Sequence, residues 1–329
     1  MILSLFVPLL SFAGAIASAM PPATQGASAE LPDNPASIPA EFEEVAIDRD
    51  RYERMTVPVT IAGRGPYRFM VDTGSQATAI TQRVVDDLAL RPDGEAMLVA
   101  MGSQALVATV PLDRLEFANR SLDGIRAPLL LSRHVGADGI LGLDALQSLR
   151  VLMDFEGDRI VVADAGELGG RNGFEIVVRA RRKLGQMIIT DARINGMRVN
   201  VLIDTGAQRS FGNEELRRRL IDRNVGSEIA TDVHGVEVRN ELRQARRIVI
   251  GGLSLSGVSV GFANSPIFEA LGLTDKPALV LGMDDLRAFR RVAIDFEDRR
   301  ILFDLPREVA VERLRRMTPF RTGIDSRID

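Results

Sequence analysis

Apolar and polar residues alternate with a period of two over much of the chain, the signature of half-buried strands, and only short stretches carry a helical period. Residues 55–61 (Met-Thr-Val-Pro-Val-Thr-Ile) and 186–194 (Gln-Met-Ile-Ile-Thr-Asp-Ala-Arg-Ile) open two such regions. Each is followed by a glycine-containing turn, Ala62-Gly63-Arg64-Gly65 in the first and Asn195-Gly196 in the second, of the kind that reverses a hairpin. A more continuously apolar strand comes next, at 67–71 and at 199–203, and each runs directly into Asp-Thr-Gly. Further on, Gly139-Ile140-Leu141-Gly142-Leu143-Asp144 matches Leu279-Val280-Leu281-Gly282-Met283-Asp284, both ahead of a short helix-like stretch. Hairpins at 151–161 and 292–302 close the two regions.

The chain is therefore an internal duplication, with Asp72 and Asp204 separated by 204 − 72 = 132 positions. Each copy has the size of a small domain. The expected fold is mostly β, two tandem lobes at residues 49–170 and 171–305 with short helices after each Asp-Thr-Gly and after Gly142 and Gly282. Ahead of them, an apolar run over residues 2–16 ends in Ala17-Ser18-Ala19, a small-x-small pattern that signal peptidases accept, so residues 1–19 are expected to direct export to a periplasmic or secreted location. The alternative is an uncleaved anchor; with the signal removed, no stable membrane association is expected. Residues 20–48 are rich in Pro and Ala and form a linker or a pro-segment, and residues 306–329 form an Arg-rich tail.

Composition narrows the chemistry. With 46% hydrophobic residues among 329, the chain can bury a sizeable core. A net charge of −4 gives no basic face for phosphates, so nucleic acid is not an expected partner. The absence of cysteine excludes disulfides and thiol catalysis, and the two histidines, His134 and His234, stand far apart in sequence without a companion motif. No metal and no cofactor are expected.

What remains are Asp72-Thr73-Gly74-Ser75 and Asp204-Thr205-Gly206-Ala207, each placing a carboxylate where a buried strand emerges into a turn. One such tripeptide is weak evidence, since an Asp can simply end a strand through a side-chain turn. Two in equivalent places, each paired with a later apolar-apolar-Gly, are not readily explained by coincidence. Over roughly residues 52–305 these motifs resemble the retropepsin and pepsin superfamily, specifically bacterial exported members that carry both halves in one chain. The resemblance implies two β lobes related by a pseudo-twofold axis, with Asp72 and Asp204 as a catalytic dyad. It also implies that Thr73 and Thr205 grip the opposite loop, that Gly74 and Gly206 permit close approach, and that Gly142 and Gly282 pack beneath the catalytic loops. Like charges so close cannot both ionise easily, so such a pair shares one proton and activates a water; aspartic proteases are the standard worked example of this effect.

The family holds an extended peptide under hairpin flaps. Candidates are residues 97–110, turning at Gly102-Ser103 next to Met101, and residues 228–239, turning at His234-Gly235. Two equivalent flaps are expected, the glycines lying 102 − 72 = 30 and 235 − 204 = 31 positions after their aspartates. Ser75 against Ala207 is the one difference between the loops: a Ser75 hydroxyl donating to Asp72 would favour ionisation of Asp72. The reading is an aspartic endopeptidase acting on peptide or protein segments, with a monomer sufficient. The alternative is a retropepsin-like protein that holds peptides without cutting them.

Overall fold

The computed structural model describes residues 3–6, 44–46, 48–49, 55–118, 120–164, 174–183, 185–220 and 224–306. Most of the expected signal (1–19) and linker (20–48), and the tail beyond residue 306, lie outside the described residues.

Each lobe starts as a hairpin. Strand Met55–Ile61 pairs with Arg64–Val71, and Gln186–Ile194 pairs with Met197–Ile203. The turns between them need two successive positive φ angles, and Ala62 (50°) with Gly63 (74°) and Asn195 (49°) with Gly196 (87°) supply them. That geometry twists in the same sense as the strands it joins. The apolar-apolar-Gly segments then dock as parallel neighbours of the strands that lead into the aspartates. Gly139–Leu141 pairs with Phe69 to Val71, and Ala278–Leu281 with Asn200 to Ile203. A parallel strand inside the sheet is buried on both faces, which explains its unbroken apolar sequence.

The short helices fall where expected: Gln82–Leu88 and Glu214–Arg219 after the Asp-Thr-Gly loops, Leu143–Leu146 and Met283–Leu286 after the two glycines. Asn213 caps the second of these, its side chain accepting from Leu216 N at 2.9 Å. Each lobe also projects a hairpin, Glu95–Ala100 with Gln104–Leu112 and Asn224–Thr231 with Glu237–Ile250. Strand Leu3–Phe6 lies antiparallel to the outer edge of Glu95–Ala100.

The closing hairpins of the two copies form one sheet together. Leu149–Asp154 has Arg159–Asp164 on one side and Arg291–Asp295 of the other lobe on its other side. The order continues through Arg300–Asp304 to Ile176–Arg179, with Glu44–Ala46 at the far edge, making six strands. Arg150 and Asp295 make an ion pair inside this sheet, Arg150 Nε donating to Asp295 Oδ2 at 3.0 Å. The main core is continuous across it, from Phe69 and Val71 through Val151 and Met153 to Ile294 and Phe303. Each such side chain stabilises the fold by about 1.5–3 kcal/mol through burial.

Candidate active site

Both aspartates sit at the C-terminal ends of apolar strands and are held alike. Asp72 N donates to Leu141 O and Asp204 N to Leu281 O, both at 3.0 Å. Asp72 Oδ1 accepts from Gly74 N at 2.8 Å and Ser75 N at 3.1 Å; Asp204 Oδ1 accepts from Gly206 N and Ala207 N at the same two distances. These bonds fix one oxygen of each carboxyl group and leave the other for the partner and the cleft.

The two loops grip each other through threonine. Thr73 Oγ1 donates to Ile203 O at 2.9 Å and accepts from Thr205 N at 3.2 Å. Thr205 Oγ1 reciprocates, donating to Val71 O at 2.7 Å and accepting from Thr73 N at 3.1 Å. Glycine is required behind each aspartate, because a Cβ on Gly74 would collide with the Asp204 carboxyl group and one on Gly206 with that of Asp72.

Gly142 and Gly282 press against the backbone of Ala77 and Arg209, where a Cβ has no room. Their amides are held by hydroxyls six positions after each aspartate, 78 − 72 = 6 and 210 − 204 = 6. Gly142 N donates to Thr78 Oγ1 at 3.2 Å and Gly282 N to Ser210 Oγ at 3.0 Å. Those hydroxyls in turn donate to carboxylates of the following helices, Thr78 to Asp144 at 2.7 Å and Ser210 to Asp285. Aligning the two copies residue by residue finds Thr78 and Ser210; the carboxylates stand two residues after one glycine and three after the other, which hides them.

Asp72 is 0% and Asp204 1% exposed, and the outer oxygen of Asp72, Oδ2, is buried without a hydrogen-bond partner; Asp204 is close enough for its charge to act on Asp72. Burial raises both, and the Asp204 charge adds to it at Asp72, which stands well above the ordinary carboxylate range. The expectation that Ser75 keeps Asp72 ionised is corrected. The Ser75 hydroxyl donates to Ala77 O at 2.8 Å, bonding its own turn instead of the carboxylate.

Of the expected flap residues, Met101 packs in an apolar cluster, and beside it Gly102, Ser103, His234 and Gly235 meet at one junction between the hairpin tips. Asp232, fully buried, organises it. Its Oδ1 accepts from His234 N (3.0 Å) and Val236 N (2.9 Å) of its own turn; its Oδ2 accepts from Gly102 N (3.3 Å) and Ser103 Oγ (2.5 Å) of the other flap. With the Ser103 proton directed at Asp232, the His234 Nδ1–H donates to Ser103 Oγ at 2.6 Å, leaving Nε2 buried without a partner. Burial lowers the His234 pKa, partly offset by Asp232. His134 meets this turn as well: its Nδ1 donates to Val233 O at 3.3 Å, its Nε2 accepts from Arg133 Nε at 3.0 Å, and its ring lies against Gly235, whose φ is +83°. Sequence separation concealed that the two histidines are neighbours. The flaps are also not equivalent, since the counterpart of Ser103 by the 132-residue offset is Gly235, and only one flap brings a carboxylate.

Beneath the tips, Val99 and Met101 pack against Ala207, Phe211, Ile267 and Phe268 of the second lobe, while Val233 packs with Met70, Ala77 and Ile140 of the first. Each hairpin is thus seated on the opposite lobe, and the two tips are joined to each other. Missed by sequence reading are Asp232 and also Gln186, which donates from Nε2 to Gly74 O at 2.6 Å.

Two lobes, each giving one aspartate to a mutually gripped pair and each projecting a hairpin, define the architecture of a two-lobed aspartic protease. A family model described as aspartyl protease matches residues 57–145 and 190–284, one stretch per lobe, and the chain belongs to that family. No curated protein matches it.

Proposed function

We propose that the chain is an aspartic endopeptidase that hydrolyses peptide bonds of extended protein segments. The observation that carries this reading is the dyad itself: two buried carboxyl groups held in equivalent geometry by reciprocal bonds, with burial raising both, an arrangement suited to sharing one proton. The ionised member takes a proton from a water placed between them while the protonated member hydrogen-bonds the scissile carbonyl. The resulting tetrahedral intermediate collapses when a proton is passed to the leaving amine, which restores the dyad. Two symmetric sets of backbone N–H donors hold the inner oxygens still, so little reorganisation is needed during the proton transfers.

An extended segment enters under the flaps and pairs with their strands. The apolar run over residues 2–16 and Ala17-Ser18-Ala19 support export, with action in a periplasmic or secreted setting. A single chain supplies both aspartates, so a monomer suffices. The test is digestion of a peptide library read by mass spectrometry, with Asp72→Asn as the control. Cleavage that disappears in the variant supports the reading, and the absence of any cleavage by the wild type, from acid to neutral pH, overturns it.

A further inference from the structure

Gln186 opens the first strand of the second lobe, and the register that pairs Ile188 with Leu202 carries it to a place opposite Asp204 (188 + 202 = 186 + 204). Its side chain crosses to the other lobe, where Nε2 donates to the Gly74 carbonyl of the Asp72 loop at 2.6 Å. That bond fixes the amide's orientation, because a carbonyl requires a donor and only the NH₂ end can supply one. The other end, Oε1, is then an acceptor; Gln186 is 1% exposed, and Oε1 is buried without a hydrogen-bond partner. A buried amide oxygen left unsatisfied is costly, and such atoms in native proteins call for an explanation.

We propose that Gln186 is a substrate-binding residue whose Oε1 accepts a main-chain N–H of the bound peptide beside the Asp72 loop, and that this single acceptor gives the cleft a direction. The inference rests on the endopeptidase reading. An extended peptide brings main-chain N–H groups past the dyad on both sides of the bond to be cut. The floor of the cleft is nearly twofold symmetric, and a symmetric floor does not distinguish the two directions in which a peptide can lie. Gln186 breaks that tie. Its counterpart in the first copy, 186 − 132 = 54, is Arg54, a residue type with donors and no acceptor. An N–H acceptor of this kind is therefore encoded on one side of the pseudo-twofold axis only, so the peptide lies in the direction that puts its N–H against Oε1.

The experiment uses the best-cleaved library peptide and a series in which each backbone nitrogen is methylated in turn, assayed for kcat/KM with wild type, Gln186→Leu and Gln186→Glu. In the wild type one position, on one side of the scissile bond, is expected to lose about tenfold on methylation beyond the steric baseline of its neighbours, the value of one hydrogen bond to a buried acceptor (about 1.4 kcal/mol). Gln186→Leu is expected to lose about the same factor on the unmethylated peptide, mainly in KM, and to show no extra penalty at that position. Gln186→Glu keeps an acceptor oxygen in either protonation state, so the penalty persists. Equal penalties in wild type and Gln186→Leu would assign Oε1 to a water and overturn the proposal while leaving the endopeptidase reading intact. If Gln186→Leu fails to fold, loss of the penalty in Gln186→Glu overturns it instead. A wild type that cuts no peptide overturns both.

Discussion

The floor and the roof of the cleft follow opposite rules. In the floor, the backbone donors on Oδ1 and the reciprocal threonine bonds of the Asp72 loop each have a counterpart in the Asp204 loop within 0.2 Å; the Ser75 hydroxyl and the bond from Gln186 are the exceptions. In the roof, one flap brings the carboxylate of Asp232 and the imidazole of His234, and the other brings a hydroxyl and an amide. In the proposed mechanism the two carboxyl groups share a proton, which closely matched surroundings favour. A lid only has to close, and complementary parts close better than identical ones: two copies of Asp232 facing each other would repel.

The sharpest test of a matched floor is to remove each carboxylate. Asp72→Asn and Asp204→Asn are each expected to lower kcat by about 10³-fold or more in peptide cleavage, because acid and base are both needed in one cycle. A large difference between the two would break the equivalence. Next come the threonines. Thr73→Val strands Ile203 O and Thr205 N, and Thr205→Val strands Val71 O and Thr73 N, so each should cost on the order of 3 kcal/mol in urea denaturation, and the two costs should agree.

The roof should respond locally and unequally. Ser103→Ala removes the hydroxyl that joins Asp232 to His234 and is expected to raise hydrogen exchange at the tip amides by about tenfold, with Gly74 and Gly206 unchanged. Equal acceleration at the dyad loops would show that roof and floor open together. The smallest effect is that of pH, and its signs are opposed. The dyad carboxyls are raised when folded, so their contribution is present below the unfolded pKa of 3.8 and is lost as pH rises through the folded values. His234 is lowered when folded, so the closed junction loses stability as pH falls below 6.5, levelling at its folded pKa. The groups facing it are Asp232 and, across the junction, His134 with Arg133 on its far nitrogen. Exchange at the tips, corrected for intrinsic rates, should therefore quicken as pH falls below 6.5 in the wild type and be flat in His234→Asn.

Much of the floor was legible because its determinants are local. Alternating strands, two turns that need positive φ and a tripeptide repeated at a fixed interval can all be seen in one line of text. Partnerships between distant segments were not. Asp232 reads as an ordinary turn aspartate until Gly102 and Ser103 are brought to it from 130 and 129 residues away. Gln186 begins a strand whose pattern is set by the residues after it, and nothing in that pattern marks which way an amide will reach. Ser75 misled for a related reason: a hydroxyl bonds the nearest carbonyl in need of a donor, and the turn at Ala77 offers one two residues away.

On the endopeptidase reading proposed above, the sheet shared by the lobes decides how a peptide gets in. Arg150 to Asp154 is paired with Arg291–Asp295 of the other lobe, with Arg150 and Asp295 joined inside the interface, so a continuous ladder ties the lobes together. Spreading them would expose buried charge and break a ladder, whereas lifting the flap tips breaks the bonds around Asp232 and uncovers the apolar side chains of Val99, Met101 and Val233. The binding-competent state is then the fraction of molecules with tips raised, and the apparent dissociation constant for any peptide is its intrinsic value divided by that fraction. Tightening the junction slows capture and weakens apparent affinity without touching a residue that meets the scissile bond, which makes the tips a throttle on turnover set independently of the chemistry.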